Sequence, residues 1–153
     1  MSRKIGAILV RDKSIISTGY NGPAKGVKHC NERDVNFYLD LEKYTGMMLK
    51  DVFNKVDCPR KQFGYKSGQG LHLCQAGHAE RNALIQAAKN GISTNNSTLY
   101  CWCPQVCKDC AIEIVNAGVK RLVYLQGPSY DGYADTILKE SGIEITQIGE
   151  NMI

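Results

Sequence analysis

Apolar and polar positions follow two periods along this chain. Ile5 to Val10 is apolar and rich in β-branched residues, Arg11-Asp12-Lys13-Ser14 is polar, and Ile15 to Thr18 turns apolar again. That pattern predicts a β-hairpin with a polar turn. Gly22, Pro23 and Gly26 break regular structure between Asn21 and Cys30. Phe37, Leu41, Tyr44, Met48 and Val52 recur three or four apart, a helical period interrupted by Gly46. Residues 57–76, with Pro59, Gly64, Gly68 and Gly70, read as loop. Beyond them the pattern predicts a helix from Ala79 to Asn90 stopping at Gly91, and a strand from Thr98 to Trp102. A helix from Lys108 to Asn116 stopping near Gly118, a strand from Arg121 to Leu125, a helix from Ala134 to Glu140 and a strand from Ile143 to Ile148 complete it. Strands alternating with helices imply an α/β sandwich with a sheet at its centre.

Composition narrows the class. A length of 153 residues suits one domain, 1–153, with a proper core. The formal charge of +4 is mild and no run of five like charges offers a nucleic-acid tail. No stretch is long and apolar enough for a bilayer, and Met1-Ser2-Arg3-Lys4 leads into a strand rather than a signal peptide, so the expected location is cytoplasmic. Seven cysteines is many for this length, and in a cytosolic protein cysteine with histidine points to metal more than to disulfides.

Two motifs carry chemistry. "GHAERNAL" opens one predicted helix with His78 and Glu80, and "CPQVCKDC" opens the next with Cys107 and Cys110. Cysteines three apart at a helix start share a face, and the electropositive N-terminus favours the thiolate that zinc needs. A histidine at the start of the preceding helix adds a third donor. Three protein donors leave one tetrahedral position for water, the pattern of a catalytic zinc, and a carboxylate beside it can move protons. Either motif alone is weak, since a lone CxxC is more often redox-active or structural. In this order, each opening a helix and separated by a strand, they match the zinc-deaminase signature.

"HAERNAL", the CxxC helix and "IVNAGVKRLVY" resemble the cytidine and deoxycytidylate deaminase superfamily, and "IGAILVRDKSIISTGYNGPAKGVKHC" is similar to its deoxycytidylate (dCMP) deaminase branch. The likeness covers residues 3–30 and 77–148. It implies a three-layer α/β/α sandwich around a mixed five-stranded sheet. His78, Cys107 and Cys110 would hold zinc, Glu80 would shuttle protons, and Asn21, Tyr20 and Ala79 would meet the substrate. It further implies hydrolysis of dCMP to dUMP and ammonia, with Glu80 passing a proton to N3 and then to the departing amine. A homo-oligomer regulated by dCTP and dTTP with Mg2+ belongs to the same implication. Three departures stand out. Val106, not proline, precedes Cys107, the proline being Pro104, so a ligand loop one residue longer is expected. The chain starts almost at the strand where the family has a helix, so either the chain is shortened or another subunit or residues 31–56 cover that sheet face. Residues 31–76 form a distinct insertion.

Cys30, Cys58 and Cys74, with His72 preferred to His29, resemble the ligands that some family members use for a second, structural zinc; the equal alternative is buried thiols without an ion. Cys101 and Cys103 share a strand face, and core filling is the favoured role. Tyr130 and Trp102 could stack on a base, although rim packing is commoner. Lys25, Lys28, Arg60, Lys61, Lys66 and Arg81 are candidates for a substrate phosphate. The rival functions are deamination of dCTP, deoxycytidine or tRNA adenosine, and a non-catalytic zinc-stabilised module. A polynucleotide substrate would call for a concentrated basic stripe, which this composition lacks.

Overall fold

The hairpin expected from the sequence is present, its turn on the polar stretch Arg11–Ser14. Strands β1 (Gly6–Arg11) and β2 (Ser14–Tyr20) pair antiparallel from Gly6 opposite Tyr20 to Arg11 opposite Ser14. Only Asp12 and Lys13 lie between them, at φ 51° and 61°. Two successive positive φ values are what a two-residue type I′ turn needs, and that turn matches the twist of the strands it joins. Asp12 and Lys13 are thus the central pair of the four-residue polar turn expected over Arg11–Ser14. At the open end, Ile5 N donates to Asn21 Oδ1 at 2.9 Å and Asn21 N donates to Ile5 O at 3.1 Å.

The computed structural model describes residues 4–33, 37, 58–62, 64–66 and 69–149. They fall into two compact units, one built from Ile5–Asn21 and the chain from Gly77 onward, the other from the segment Gly22–Ala76. In the second unit the expected loop over 57–76 contains a single helical turn at Pro59–Gln62 and a 3-10 turn at Leu71–Leu73. Another 3-10 turn, Cys30–Glu32, is closed by His29 N donating to Glu32 Oε2. The helix expected across Phe37–Val52 lies, apart from Phe37, outside the described residues.

The first unit carries the sheet. Helix α1 (Ala79–Lys89), β3 (Thr98–Cys101), α2 (Lys108–Asn116), β4 (Arg121–Leu125), α3 (Gly132–Glu140) and β5 (Glu144–Ile148) follow in order. The strand order is β2-β1-β3-β4-β5; β1 runs antiparallel to both neighbours, and β3, β4 and β5 are mutually parallel. The expected α/β class and mixed five-stranded central sheet are both present. β4 lies between two parallel partners and is buried from Leu122 to Leu125, which is why "RLVYL" is a continuous apolar run without alternation. Leu9, Leu99 and Leu122 stand opposite one another on three strands, fully buried, in one core with Ala83, Ala87, Ile114 and Leu138 of the helices. One row further along that face come Ala7, Cys101 and Tyr124. Helix α3 begins two residues earlier than its apolar pattern suggests because Asp131 caps it, its side chain accepting from Ala134 N.

Helix α1 lies directly on β2. A Cβ on Gly19 would collide with the carbonyl oxygen of Ala79 and the backbone nitrogen of Ala83, so no larger residue fits without moving the helix. Ser17 Oγ fastens the same pair of elements by donating to Ala83 O at 2.7 Å. Gly19→Ala is expected to lower the unfolding free energy in a urea titration by about 3 kcal/mol, the scale of an overpacked core. Ser17→Ala, which gives up one hydrogen bond without a collision, should cost only about 1 kcal/mol.

Candidate metal centre

Two helix N-termini meet at the carboxyl end of β3. His78 is the N-cap of α1 and Cys107 the N-cap of α2, both with extended backbones (φ −73°, ψ 153° and φ −81°, ψ 167°). Neither side chain makes a capping hydrogen bond to its helix. Cys110 lies on the first turn of α2. His78 Nδ1 is 3.3 Å from Cys107 Sγ and 3.4 Å from Cys110 Sγ.

These distances suit one tetrahedral ion. With Zn–S near 2.3 Å and Zn–N near 2.0–2.1 Å, a tetrahedral N···S edge is about 3.5 Å. Among the described residues the cluster holds these three donors and no fourth His, Cys, Asp or Glu. Electrostatics agree with the geometry. The Cys107 thiol is pulled far below its usual range, chiefly by its hydrogen bond with Cys110 and further by His78. Cys110 is pushed up because it shares that hydrogen bond and is buried. His78 is raised mainly by its bond to Cys107. A thiolate facing an imidazolium is the proton-loaded form of such a site, and a cation binding there displaces the protons.

Glu80 follows on the first turn of α1, only 4 % exposed. Burial pushes its carboxyl pKa up. Asn82 ties this turn to its surroundings, Nδ2 donating to Tyr20 O at 2.8 Å and, more weakly, to Gly77 O at 3.4 Å. The Tyr20-Asn21 corner is thereby held to the start of α1. Tyr20 is exposed, Asn21 half-buried and Ala79 fully buried at the first position of the helix. Arg81 Nε pairs with Glu113 Oε2 at 2.9 Å, linking α1 to α2. That guanidinium is thus engaged in the scaffold, and Arg60 likewise donates to the carbonyls of Gln69 and Lys66. Lys25, Lys28, Lys61 and Lys66 are exposed.

Several residues of consequence escaped the sequence reading. Gln105, in the ligand loop, is buried; its Nε2 donates to Ser129 Oγ and Asp135 Oδ1, each at 2.7 Å, and its Oε1 accepts from Tyr130 N. Asp131 caps two helices, Oδ2 accepting from Lys108 N at 2.7 Å and Oδ1 from Ala134 N. Partners 23 to 30 residues apart leave no periodic trace, although Asp-Gly before a helix was a legible cap. Residues 103–107 are folded in, with Val106 fully buried and Cys103 O accepting from Leu125 N. Tyr130 is half-exposed, and burial together with the negative charge of Cys107 and Glu80 raises its phenol. Trp102 is exposed. Cys30, Cys58 and Cys74 are half-buried in the other unit, and the side chain of His72 lies outside the described residues. Cys101 and Cys103, read from sequence as core filling, are buried but grouped with Glu80.

Fold and cluster together define a zinc-binding α/β domain with a catalytic type of donor set. The model of the cytidine and deoxycytidylate deaminase zinc-binding region matches residues 1–126, and the chain belongs to that family. It is 32 % identical over 148 residues to the deoxycytidylate deaminase of Schizosaccharomyces pombe, covering 96 % of this chain and 38 % of that protein. To the deoxycytidylate deaminase of Enterobacteria phage T4 it is 35 % identical over 163 residues, covering 96 % and 80 %. The crystal structure of the cyanophage S-TIM5 dCMP deaminase in complex with dCMP and dUMP superposes with a TM-score of 0.63 at 25 % identity, covering 97 % of this chain and 83 % of that one. The chain thus spans well under half the length of the fission-yeast relative.

Replacing Gln105 by Leu leaves the Tyr130 N–H without its acceptor and Asp135 Oδ1 without the Gln105 amide, while Ser129 Oγ still donates to Asp135 Oδ2. The expected loss is about 1–3 kcal/mol in thermal unfolding, with zinc content unchanged because the donors themselves remain.

Proposed function

We propose that this chain hydrolyses dCMP to dUMP and ammonia. The observation that carries the proposal is a buried carboxylate, Glu80, two residues beyond His78 in a cluster that holds three donors among the described residues. The family match, the similarity to deoxycytidylate deaminases and the likeness to a dCMP deaminase solved with dCMP and dUMP support it.

His78 Nδ1 and the sulfurs of Cys107 and Cys110 would hold zinc, which when bound acidifies water for nucleophilic attack. Glu80 takes the proton from the water that adds to C4 of the cytosine. It returns that proton to N3, then takes the proton of the hydroxyl added at C4 and gives it to the exocyclic amine, so that the C4–N bond breaks, ammonia departs and C4=O forms. Burial suits it to this work, because a carboxylate too weakly basic cannot accept the proton. The first N–H groups of a helix have no helical carbonyl beneath them, and that of Ala79 would donate to the pyrimidine oxygen. Asn21 and Tyr20 would meet the sugar, being tied by Asn82 to the same turn, and Tyr130 would cover the base from the rim.

A homo-oligomer, dCTP and dTTP as effectors with Mg2+, and a cytoplasmic setting belong to the same proposal; no helix of the described residues is long and apolar enough to cross a membrane. Cys30, Cys58, Cys74 and His72 are proposed as ligands of a structural zinc. Metal analysis of the purified protein should then return two zinc ions per chain, and one in a Cys58→Ala/Cys74→Ala variant; one in both removes the structural site.

Ammonia release from dCMP, dCTP, deoxycytidine and a tRNA anticodon stem, compared side by side, tests the substrate. Turnover of dCMP is expected to lead, and equal or faster release from another substrate replaces it. Glu80→Gln should keep the bound zinc while turnover falls by roughly 10²–10⁴-fold. Full turnover with zinc in place would take Glu80 out of the proton path.

A further inference from the structure

Cys101 and Cys103 are buried nucleophiles that the proposed chemistry leaves unused. Cys103 continues the line of β3, its carbonyl still accepting from Leu125 N, and both residues share the core face with Ala79 and Ala83 of α1. Their sulfurs stand 2.7 Å apart, and the Cys103 thiol points at Glu80 Oε1 from 3.9 Å. The three ligand atoms lie within 4.8 Å of one another, and all three residues are buried. This trio contains none of the donors of the His78–Cys107–Cys110 cluster.

Two thiols filling a core need no carboxylate turned toward them, whereas two sulfurs and an oxygen form the donor set of a zinc-like ion. With Zn–S near 2.3 Å and Zn–O near 2.0–2.2 Å, a tetrahedral S···O edge is about 3.6 Å, against 3.9 Å here. The S···S edge should be about 3.8 Å. The two sulfurs therefore part by about 1 Å, which rotation about χ1 supplies.

We propose that Cys101, Cys103 and Glu80 form a second, inhibitory site for a thiophilic d10 cation such as Zn2+. On binding, the two thiols become thiolates and release their protons to solvent, while Glu80 contributes its carboxylate oxygen. A carboxylate held by this ion no longer moves protons, so excess metal stops turnover without displacing the first zinc. The inhibition rests on the deaminase proposal; the binding does not.

Equilibrium dialysis of the zinc-loaded protein against excess Zn2+, followed by metal analysis, tests the site. Wild type is expected to take up one more zinc per chain than a Cys101→Val/Cys103→Ala variant. Cys103→Ala alone, which leaves Cys101 in the sheet, should lose the same ion and guards against misfolding of the double variant. As the extra zinc loads, dCMP turnover of wild type should fall by roughly 10²-fold, the scale of losing a general acid–base group. Equal zinc uptake by wild type and both variants overturns the site, and full turnover with the extra ion bound overturns the inhibition. A protein without deaminase activity that still shows the difference in uptake keeps the site and removes only the deaminase proposal.

Discussion

Helix α1 rests on β2 with no side chain between them at Gly19, and the placement of the metal donors follows from that contact. The close approach fixes the height and rotation of the helix above the sheet. His78 and Glu80 sit at its first turn, so their directions are set by a backbone packing, not by flexible side chains. Ser17 and Asn82 fasten the same end from two sides. Helix α2 is brought to the same place by a different route, through β3 and the buried 103–107 turn. The cluster exists because two independently anchored helices point their N-termini at one spot, where backbone N–H groups favour the thiolate form of the ligands.

That arrangement suits chemistry that needs prepared groups. Side chains fixed at the start of a helix, as His78, Cys107 and Cys110 are, lower the reorganisation that metal binding requires. The Arg81–Glu113 pair clips the two helices together just beyond the donors. Being partly exposed, it contributes little stability by itself and serves mainly to limit sliding.

Most of the sheet and the grouping of His78 with Cys107 and Cys110 were legible in the sequence because each rests on short-range spacing. His78 with Glu80, and Cys107 with Cys110, are separated by two or three residues, and each pair opens an apolar run that ends at a glycine. The alternation of strands and helices gave the α/β class for the same reason. What escaped was set by contacts distant in sequence or by backbone twist. The hairpin turn carries no glycine, so nothing in Asp12-Lys13 announced two positive φ values. Gln105 has the look of an ordinary loop residue until residues 129–135 fold against it. Cys101 and Cys103 are core residues as their strand alternation indicates, while their nearness to Glu80 of α1 carries no short-range signal.

Asp131 has one further consequence. Its two carboxylate oxygens cap the helix that carries Cys110 and the helix that follows β4. The segment entering α3 and the turn that presents the sulfurs are therefore joined through a single residue, and Gln105 repeats the link a few ångströms away. Lengthening or shortening either segment would break the shared cap. Diversification of the rim around Tyr130 is thereby confined to exchange of side chains on a backbone of fixed length.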